Sequence, residues 1–412
     1  MAKLLYLVHR MPYPPNKGDK VRSYHLLRHL AARHSVYLGT FVDDPDDMQH
    51  VPVVQRLCAD VCAVPLQPRT AKLRSLAGLL SGEALTLGYY RSPALQAWVN
   101  STVATQQVDA VVVFSSSMAP YALAHPGLPM LADLVDVDSA KWTEYAGRHR
   151  WPMSWLYRRE GERLLAFERK VVAGARNAYL VTDKEVDLFG HLAPESRGRV
   201  QTLGNGVDAE FFSPAAQRPS PYPDRELSLL FTGAMDYWPN VDAVCWFVSA
   251  VMPDLRKRWP ALRMHIVGRN PAPAVLALAG PHVNVTGTVP DVRPWLQHAN
   301  VVVAPLRLAR GVQNKVLEAM AMARPVVAAD HCAAAIDAKV GVELVSAADA
   351  QAYVSQVGAL LADATAAERI GQAGRACVLA RYSWAARLAG IDHELRLGRD
   401  VEPTLEHEVI AR

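Results

Sequence analysis

The sequence predicts an α/β protein built from two Rossmann-like, doubly wound domains. Short runs rich in Val, Leu and Ile alternate with longer stretches of helical periodicity, the pattern of βαβ units on a parallel sheet. The alternation occurs twice, on either side of a proline-rich interruption. At 412 residues the chain also exceeds what one hydrophobic core ordinarily organises, so two domains, and a cleft between them, are expected.

In the first half, strands are expected near Leu4 to His9, Ser35 to Phe41, Val61 to Val64, Val108 to Phe114, Met130 to Val135, Ala178 to Thr182 and Arg199 to Leu203. Their unbroken apolar character suits strands covered on both faces. After Asn205-Gly206-Val207-Asp208, the residues Pro214, Pro219, Pro221 and Pro223 exclude helix and inner strand, which marks a linker. The second half repeats the pattern, with strands near Leu227 to Thr232, Leu262 to Val267, Val283 to Thr286, Asn300 to Pro305, Val326 to Ala328 and Glu343 to Val345. A final helix from Ser383 to about Leu397 carries Trp384, Leu388 and Ile391 at helical spacing and is expected to cross back to the first domain. Beyond Asp400 the tail is polar. The resulting division is 1–208 for the first domain, 209–225 for the linker, 226–382 for the second domain and 383–412 for the crossing helix and tail.

Composition narrows the function. Half of the residues are apolar and 20% are charged, the balance of a soluble globular protein. A net charge of +4 lacks the concentrated basicity of a dedicated nucleic-acid binder. The five cysteines are scattered and odd in number, so neither a disulfide frame nor a zinc site is indicated. The opening apolar run, Leu4 to Val8, is too short and too soon followed by His9 and Arg10 to act as a signal peptide. No run approaches the roughly 18 apolar residues of a membrane span. A cytoplasmic location is expected.

The most informative segment is Val301 to Val327, which reads as strand, loop, helix, turn and strand. A glycine-bearing loop that opens a helix presents backbone N–H groups and the positive end of the helix dipole, a combination that favours phosphate. Here the loop and helix start supply Gly311, Gln313 and Asn314, and Lys315 adds a full charge in the first turn. Glu318 lies one turn beyond Asn314 on the same face, placed to meet ribose hydroxyls of a nucleotide. The plainer alternative is a solvated helix glutamate beside an ordinary lysine.

With its ending Glu318-Ala319-Met320-Ala321, then Pro325-Val326-Val327 after three residues, this segment resembles the donor site of the GT-B glycosyltransferases of retaining family 4. Further landmarks are Asn205 to Asp208, Phe231-Thr232-Gly233 and His265-Ile266-Val267-Gly268-Arg269. Together with Gly18 to His25, Asp136 to Trp142 and Gly311 to Lys315, the pattern is similar to the sugar transferases associated with exosortase and exopolysaccharide loci. The resemblance covers nearly the whole chain. It implies two facing domains, a nucleoside-diphosphate sugar as co-substrate with no further cofactor, and a glycan or lipid-linked acceptor in surface polysaccharide assembly. It implies a donor site made from Gly18, Gly233, Arg269, Gly311, Gln313, Asn314, Lys315 and Glu318. One departure is that the family's first glutamate, eight residues before Glu318, is Arg310 here. Its usual role cannot be carried over, although an arginine can pair bidentately with phosphate.

On the acceptor side, the loop from Arg10 to Lys20 is stiffened by Pro12, Pro14 and Pro15 and ends at a helix start. Ligands of open α/β sheets bind beyond the carboxyl ends of the strands, where this loop must lie. Lys17, Gly18, Asp19 and Arg22 are therefore candidates to meet donor phosphate or acceptor, the alternative being that they cap and solvate the helix. Asp136-Val137-Asp138 invites comparison with a metal-binding D-x-D, but Lys315, Arg310 and the helix start already offer charge for a diphosphate, so no metal is expected. Asp136 is the candidate to orient the acceptor hydroxyl or take its proton, against a strand-end cap. The catalytic candidates are thus Asp136, Arg310 and Lys315.

Retention implies an oxocarbenium-like centre. With no convincing covalent nucleophile in sequence, front-face transfer in which the leaving diphosphate helps receive the proton is favoured. From Lys141 to Arg176 nine Lys or Arg face four Glu, with Trp142, Trp151, Trp155 and Tyr157 interspersed, which suits peripheral contact with an anionic membrane or, alternatively, interior packing. Arg69, Lys72 and Arg74 with Leu73, Leu76, Leu79 and Leu80 form a second such segment. A catalytically silent sugar-nucleotide binder, suggested by Arg310, and a sugar-nucleotide epimerase of similar form are the competing functions.

Overall fold

Among the described residues, thirteen strands form two sheets, each parallel throughout. The computed structural model describes residues 1–15, 18–214, 217–308 and 312–397. The chain divides into two units, Met1–Asn205 with Arg387–Arg412, and Gly206–Ala386.

In unit 1 the strands are β1 (Lys3–Val8), β2 (Ser35–Val42), β3 (Asp60–Pro65), β4 (Ala110–Phe114), β5 (Met130–Val135), β6 (Asn177–Leu180) and β7 (Val200–Thr202). Their spatial order is β3-β2-β1-β4-β5-β6-β7. The chain therefore winds outward from β1 in both directions, and the reversal falls between β1 and β4. Leu4 to Val8 are fully buried in the middle of this sheet, whereas the edge strand β3 is half-exposed along most of its length. That gradient explains why the central strands are continuous apolar runs. In-register pairing from Leu4↔Ala110 to Val8↔Phe114 brings the residues after β1 and β4 to one level.

Unit 2 repeats the plan with β8 (Leu227–Thr232), β9 (Leu262–Val267), β10 (Val283–Gly287), β11 (Val301–Ala304), β12 (Val326–Ala329) and β13 (Val345–Ala347). Their order is β10-β9-β8-β11-β12-β13, with the reversal between β8 and β11. All thirteen strands coincide with those expected, with ends displaced by two residues or fewer.

The described part of the proline-rich stretch expected as the linker 209–225 packs on unit 2. Ala209 and Tyr222 are buried in the core of unit 2, the Tyr222 ring packs edge-on to His265 at 4.7 Å, and its hydroxyl donates to the Trp295 carbonyl at 2.7 Å. Prolines forbid regular structure here without preventing the aromatic between them from anchoring it. The last helix, Trp384–Leu397, runs into unit 1, where Leu388 and Ile391 are buried and Asp392 pairs with His29 at 2.8 Å. The polar tail beyond Asp400 lies outside the described residues.

Candidate functional site

Unit 2 concentrates its special backbone at the reversal point of the sheet. β8 ends in Phe231-Thr232, and Gly233 follows with φ +155°, a conformation that side-chain-bearing residues rarely adopt. Its N–H donates to the Val267 carbonyl at 3.1 Å, tying it to the end of β9. Gly268 follows β9, and a Cβ there would stand 1.6 Å from the Gly233 carbonyl oxygen. The two turns are thus in backbone contact, which leaves room only for glycine at position 268. Met235 N–H closes the arrangement by donating to the Arg269 carbonyl at 2.8 Å.

The neighbouring strand β11 leads, after its loop, to the helix Asn314–Ala321. Extended Gln313 precedes it. In the first turn, Lys315 reaches back across the reversal point. Its Nζ donates to Asn240 Oδ1 at 2.6 Å, lies 4.1 Å from the centre of the Phe231 ring, and stands 2.9 Å from where a Cβ on Gly233 would be. Asn240 is itself buried on the helix Trp238–Ala250 after β8, and its amide nitrogen donates to the Ala234 carbonyl at 2.8 Å. One side chain therefore fixes both the glycine turn and the ammonium.

Burial sets the electrostatics of this corner. It pushes the Lys315 ammonium down to about 7, against the opposing pull of Glu318 and, less, of Cys332. It pushes the Glu318 carboxyl up to about 7, with the Lys315 charge acting the other way. The corner thus places a largely desolvated cation at a helix start, beside a glycine turn at the switch point, a setting that favours an anion.

Of the residues expected at a donor site, the structure brings Gly233, Lys315 and Glu318 together. Gln313 is half-buried and Asn314 exposed at the start of the same helix, and Arg269 is exposed on the adjoining turn after β9. Arg310 and Gly311 lie outside the described residues. Asn240 was not singled out in the sequence, and Gly268 stood there only within the landmark His265 to Arg269, not as a site residue; the signal for Asn240 is its place in the first turn of the helix that follows the central strand.

In unit 1 the corresponding corner follows β1. Gly18 opens the helix Gly18–Ala31 with open space around it, and Lys17 lies outside the described residues. Asp19 accepts from Arg10 Nη1 at 2.6 Å and lies 3.6 Å from His9 Nε2, while Arg10 Nε donates to Asp43 at 2.8 Å. Burial alone would raise the Asp19 carboxyl, but the His9 side chain facing it and the Arg10 charge hold it well below the usual carboxylate range.

Arg22 corrects the expectation of an acceptor contact. It is 1% exposed, and its Nε and Nη2 grip Asp133 on β5 at 2.7 and 3.0 Å while Nη1 donates to Asn205 Oδ1 at 3.0 Å. The helical face that carries Ser23, Leu26, Leu27 and Leu30 packs inward and takes position 22 with it. Asp136 is half-buried and ion-paired at 2.8 Å with Lys141, which also holds Asp138 at 3.0 Å. Burial would lower the Lys141 ammonium, yet Asp138 and Asp136 hold it above its ordinary value. The D-x-D pair is therefore occupied by a cation of the chain itself.

The aromatic residues of the basic segment divide between two environments. Trp142 and Tyr157 pack against each other at 5.4 Å across the helices Asp138–Arg148 and Met153–Gly174, whereas Trp151 and Trp155 are exposed. Leu73 and Leu80 are exposed as well. No described helix is long and apolar enough to cross a membrane.

Comparison with known proteins decides what this corner is similar to. Residues 226–363 match the family model for glycosyl transferases group 1. The match spans the strands and helices that build the Gly233, Asn240 and Lys315 corner. No curated protein is similar to the chain in sequence. Among solved structures, a glycosyltransferase from Rickettsia africae ESF-5 is similar with a TM-score of 0.62 and 11% identity, covering 97% of this chain and 99% of that one. Sucrose-phosphate synthase from Thermosynechococcus elongatus gives 0.57 and 16%, over 96% and 99% of the two chains. HepE from Anabaena, in complex with UDP-glucose, gives 0.55 and 14%, over 96% and 100%. At these identities the likeness establishes the fold, two parallel-sheet Rossmann-like domains as in GT-B glycosyltransferase structures.

Proposed function

We propose that the protein is a retaining glycosyltransferase that moves a hexose-type sugar from a nucleoside diphosphate to a glycan or lipid-linked precursor in exopolysaccharide assembly. The observation that carries this is the Lys315 ammonium fixed by Asn240 against the Gly233 turn, where β8 and β11 diverge. A diphosphate seated there takes N–H groups from the helix start and a charge from Lys315, and its departure from the sugar is helped by the same groups. Glu318, on the next turn, is assigned to the ribose, and Gly311, Gln313, Asn314 and Arg269 to the rim of the same site. The match over residues 226–363 and the UDP-glucose carried by HepE support a sugar nucleotide as co-substrate.

Transfer is assigned to a metal-independent, front-face route in which the leaving diphosphate receives the acceptor proton, with Arg310 as an additional phosphate partner and Asp136 released from Lys141 to orient the acceptor. The exposed Trp151, Trp155, Leu73 and Leu80, set among basic residues, suit peripheral contact with an anionic membrane on its cytoplasmic side. The test is thermal stabilisation and nucleoside-diphosphate release against a panel of sugar nucleotides. Turnover that depends on Lys315 and Glu318 supports the proposal; stabilisation with no turnover for any acceptor supports the silent binder suggested by Arg310, and donor turnover without acceptor supports an epimerase.

A further inference from the structure

The transfer proposed above uses only the charge of Lys315, yet the same side chain carries a nucleophile. Its Nζ meets an amide oxygen, Asn240 Oδ1 at 2.6 Å, and the face of the Phe231 ring at 4.1 Å. Among the described residues no carboxylate forms an ion pair with it, and Glu318 acts on it only from the next turn. A lysine desolvated in this way gives up its proton readily and is then an amine nucleophile. Burial holds this one at about 7, so at pH 7 about half of it is the free amine, against roughly one part in three thousand for an ordinary lysine.

The amine can be reached. Lys315 and Gly233 are both half-buried, and the glycine keeps the approach clear, since a Cβ at position 233 would stand 2.9 Å from Nζ. The start of the helix Asn314–Ala321 favours an anion beside that nitrogen. An electrophile that carries its own phosphate is thereby brought to the amine and held there, an advantage that a reagent without phosphate lacks. Cys332, whose thiolate would act on the Lys315 charge, does not compete: it is 1% exposed, and burial pushes its thiol up.

We propose that Lys315 is an acylation site: a small acyl phosphate seats its phosphate at this corner, and Nζ takes the acyl group. The nitrogen lone pair forms a bond to the carbonyl carbon, the bond from that carbon to the phosphate oxygen breaks, and the proton lost by nitrogen leaves with the phosphate. Amine and acyl phosphate thus give an amide and inorganic phosphate, with no further reactant. The amide carries no charge, so a diphosphate no longer finds a cation there, and the donor corner closes in proportion to the supply of acyl phosphate. The assignment rests on the glycosyltransferase reading for what is closed, and it adds a means of regulating that site.

Acetyl phosphate is the probe, incubated with the full chain at pH 7. Peptide mass spectrometry follows acetylation at Lys315 and at Lys257, whose side chain is 78% exposed. Lys315 is expected to react at least about tenfold faster than Lys257, at a rate that saturates in acetyl phosphate and is suppressed by inorganic pyrophosphate. N-acetoxysuccinimide, which brings an acetyl group without phosphate, should show neither saturation nor protection. Gly233→Ala is expected to slow the reaction at Lys315 and leave Lys257 unchanged, and the acetylated protein should bind sugar nucleotide at least about tenfold more weakly. Labelling of Lys315 no faster than Lys257, or a rate linear in acetyl phosphate and indifferent to pyrophosphate, overturns the proposal. Saturable, pyrophosphate-blocked acetylation in a protein that turns over no sugar nucleotide leaves the acylation site standing and removes the transferase reading; turnover with unselective acetylation removes only the acylation site.

Discussion

Lys315 Nζ donates to Asn240 Oδ1 at 2.6 Å although the two residues stand on helices that follow different strands, β11 and β8. The bond spans the point where the winding of the sheet reverses, so it positions a charge there and pins the two helix starts together. Replacement of Lys315 by alanine is expected to lower turnover with a sugar nucleotide by about 100- to 1000-fold, the usual loss for one preorganised donor to a developing oxyanion. Asn240→Ala should give a smaller loss in the same direction, because the ammonium remains but is no longer aimed. Steady-state rates with a responsive sugar nucleotide check both.

The pH dependence has a definite sign. Burial places the Lys315 ammonium at about 7, below the 10.5 of an ordinary lysine. Between these values the unfolded chain binds more protons than the folded one, so this group raises stability as pH climbs from about 7 to 10.5, and its contribution is lost as pH falls through 7. A bound diphosphate favours the charged form, so donor binding near pH 8 is expected to take up a proton and to weaken as pH rises further. Calorimetry in buffers of different ionisation enthalpy measures the uptake, and Lys315→Met should abolish it.

Gly233→Ala is expected to disable the donor corner without unfolding unit 2. Its φ of +155° strains any side chain, and the new methyl would stand 2.9 Å from Lys315 Nζ and 2.8 Å from the Asn240 amide nitrogen. A stability loss of about 1 kcal/mol or more is expected where native φ excludes alanine, together with weaker sugar-nucleotide binding. Denaturant melts and a thermal-shift titration on the same preparation separate the two effects.

Arg22→Ala should damage the fold instead of the chemistry. Removing one partner of a buried ion pair typically costs about 3 to 5 kcal/mol, and Asp133 would be left 2% exposed without its guanidinium. At a temperature where the variant remains folded, its affinity for sugar nucleotide is expected to match the wild type. A large drop in that affinity would return Arg22 to the binding site.

A chelator is expected to leave turnover intact, because Lys141 already occupies Asp136 and Asp138. Complete loss of activity on chelation, restored by manganese, would contradict the metal-independent route.

The architecture was legible because it rests on short-range patterns. Central strands such as Leu4 to Val8 and Val301 to Ala304 are apolar at every position since helices cover both faces, and that signal survives in one dimension. The donor corner was legible in part: Gly233, Lys315 and Glu318 sit in recognisable local strings. Asn240 did not stand out, because its importance comes from meeting a residue 75 positions away. Arg22 misled for the opposite reason. A basic residue near a helix start suggests an exposed cation, and only Asp133, 111 positions on, reveals that it is neutralised indoors. His9 was read simply as the polar end of the first strand, and its buried Nδ1, without a hydrogen-bond partner among the described residues, is a property of three-dimensional packing.

The bidentate grip of Arg22 on Asp133 also constrains how this chain can change. Because either single replacement strands a charge in a dry interior, the two positions form one heritable unit, and a change at both to well-fitting apolar residues would be far better tolerated than the passage through either intermediate. Asn205, held by the same guanidinium where the chain leaves unit 1, inherits that restriction.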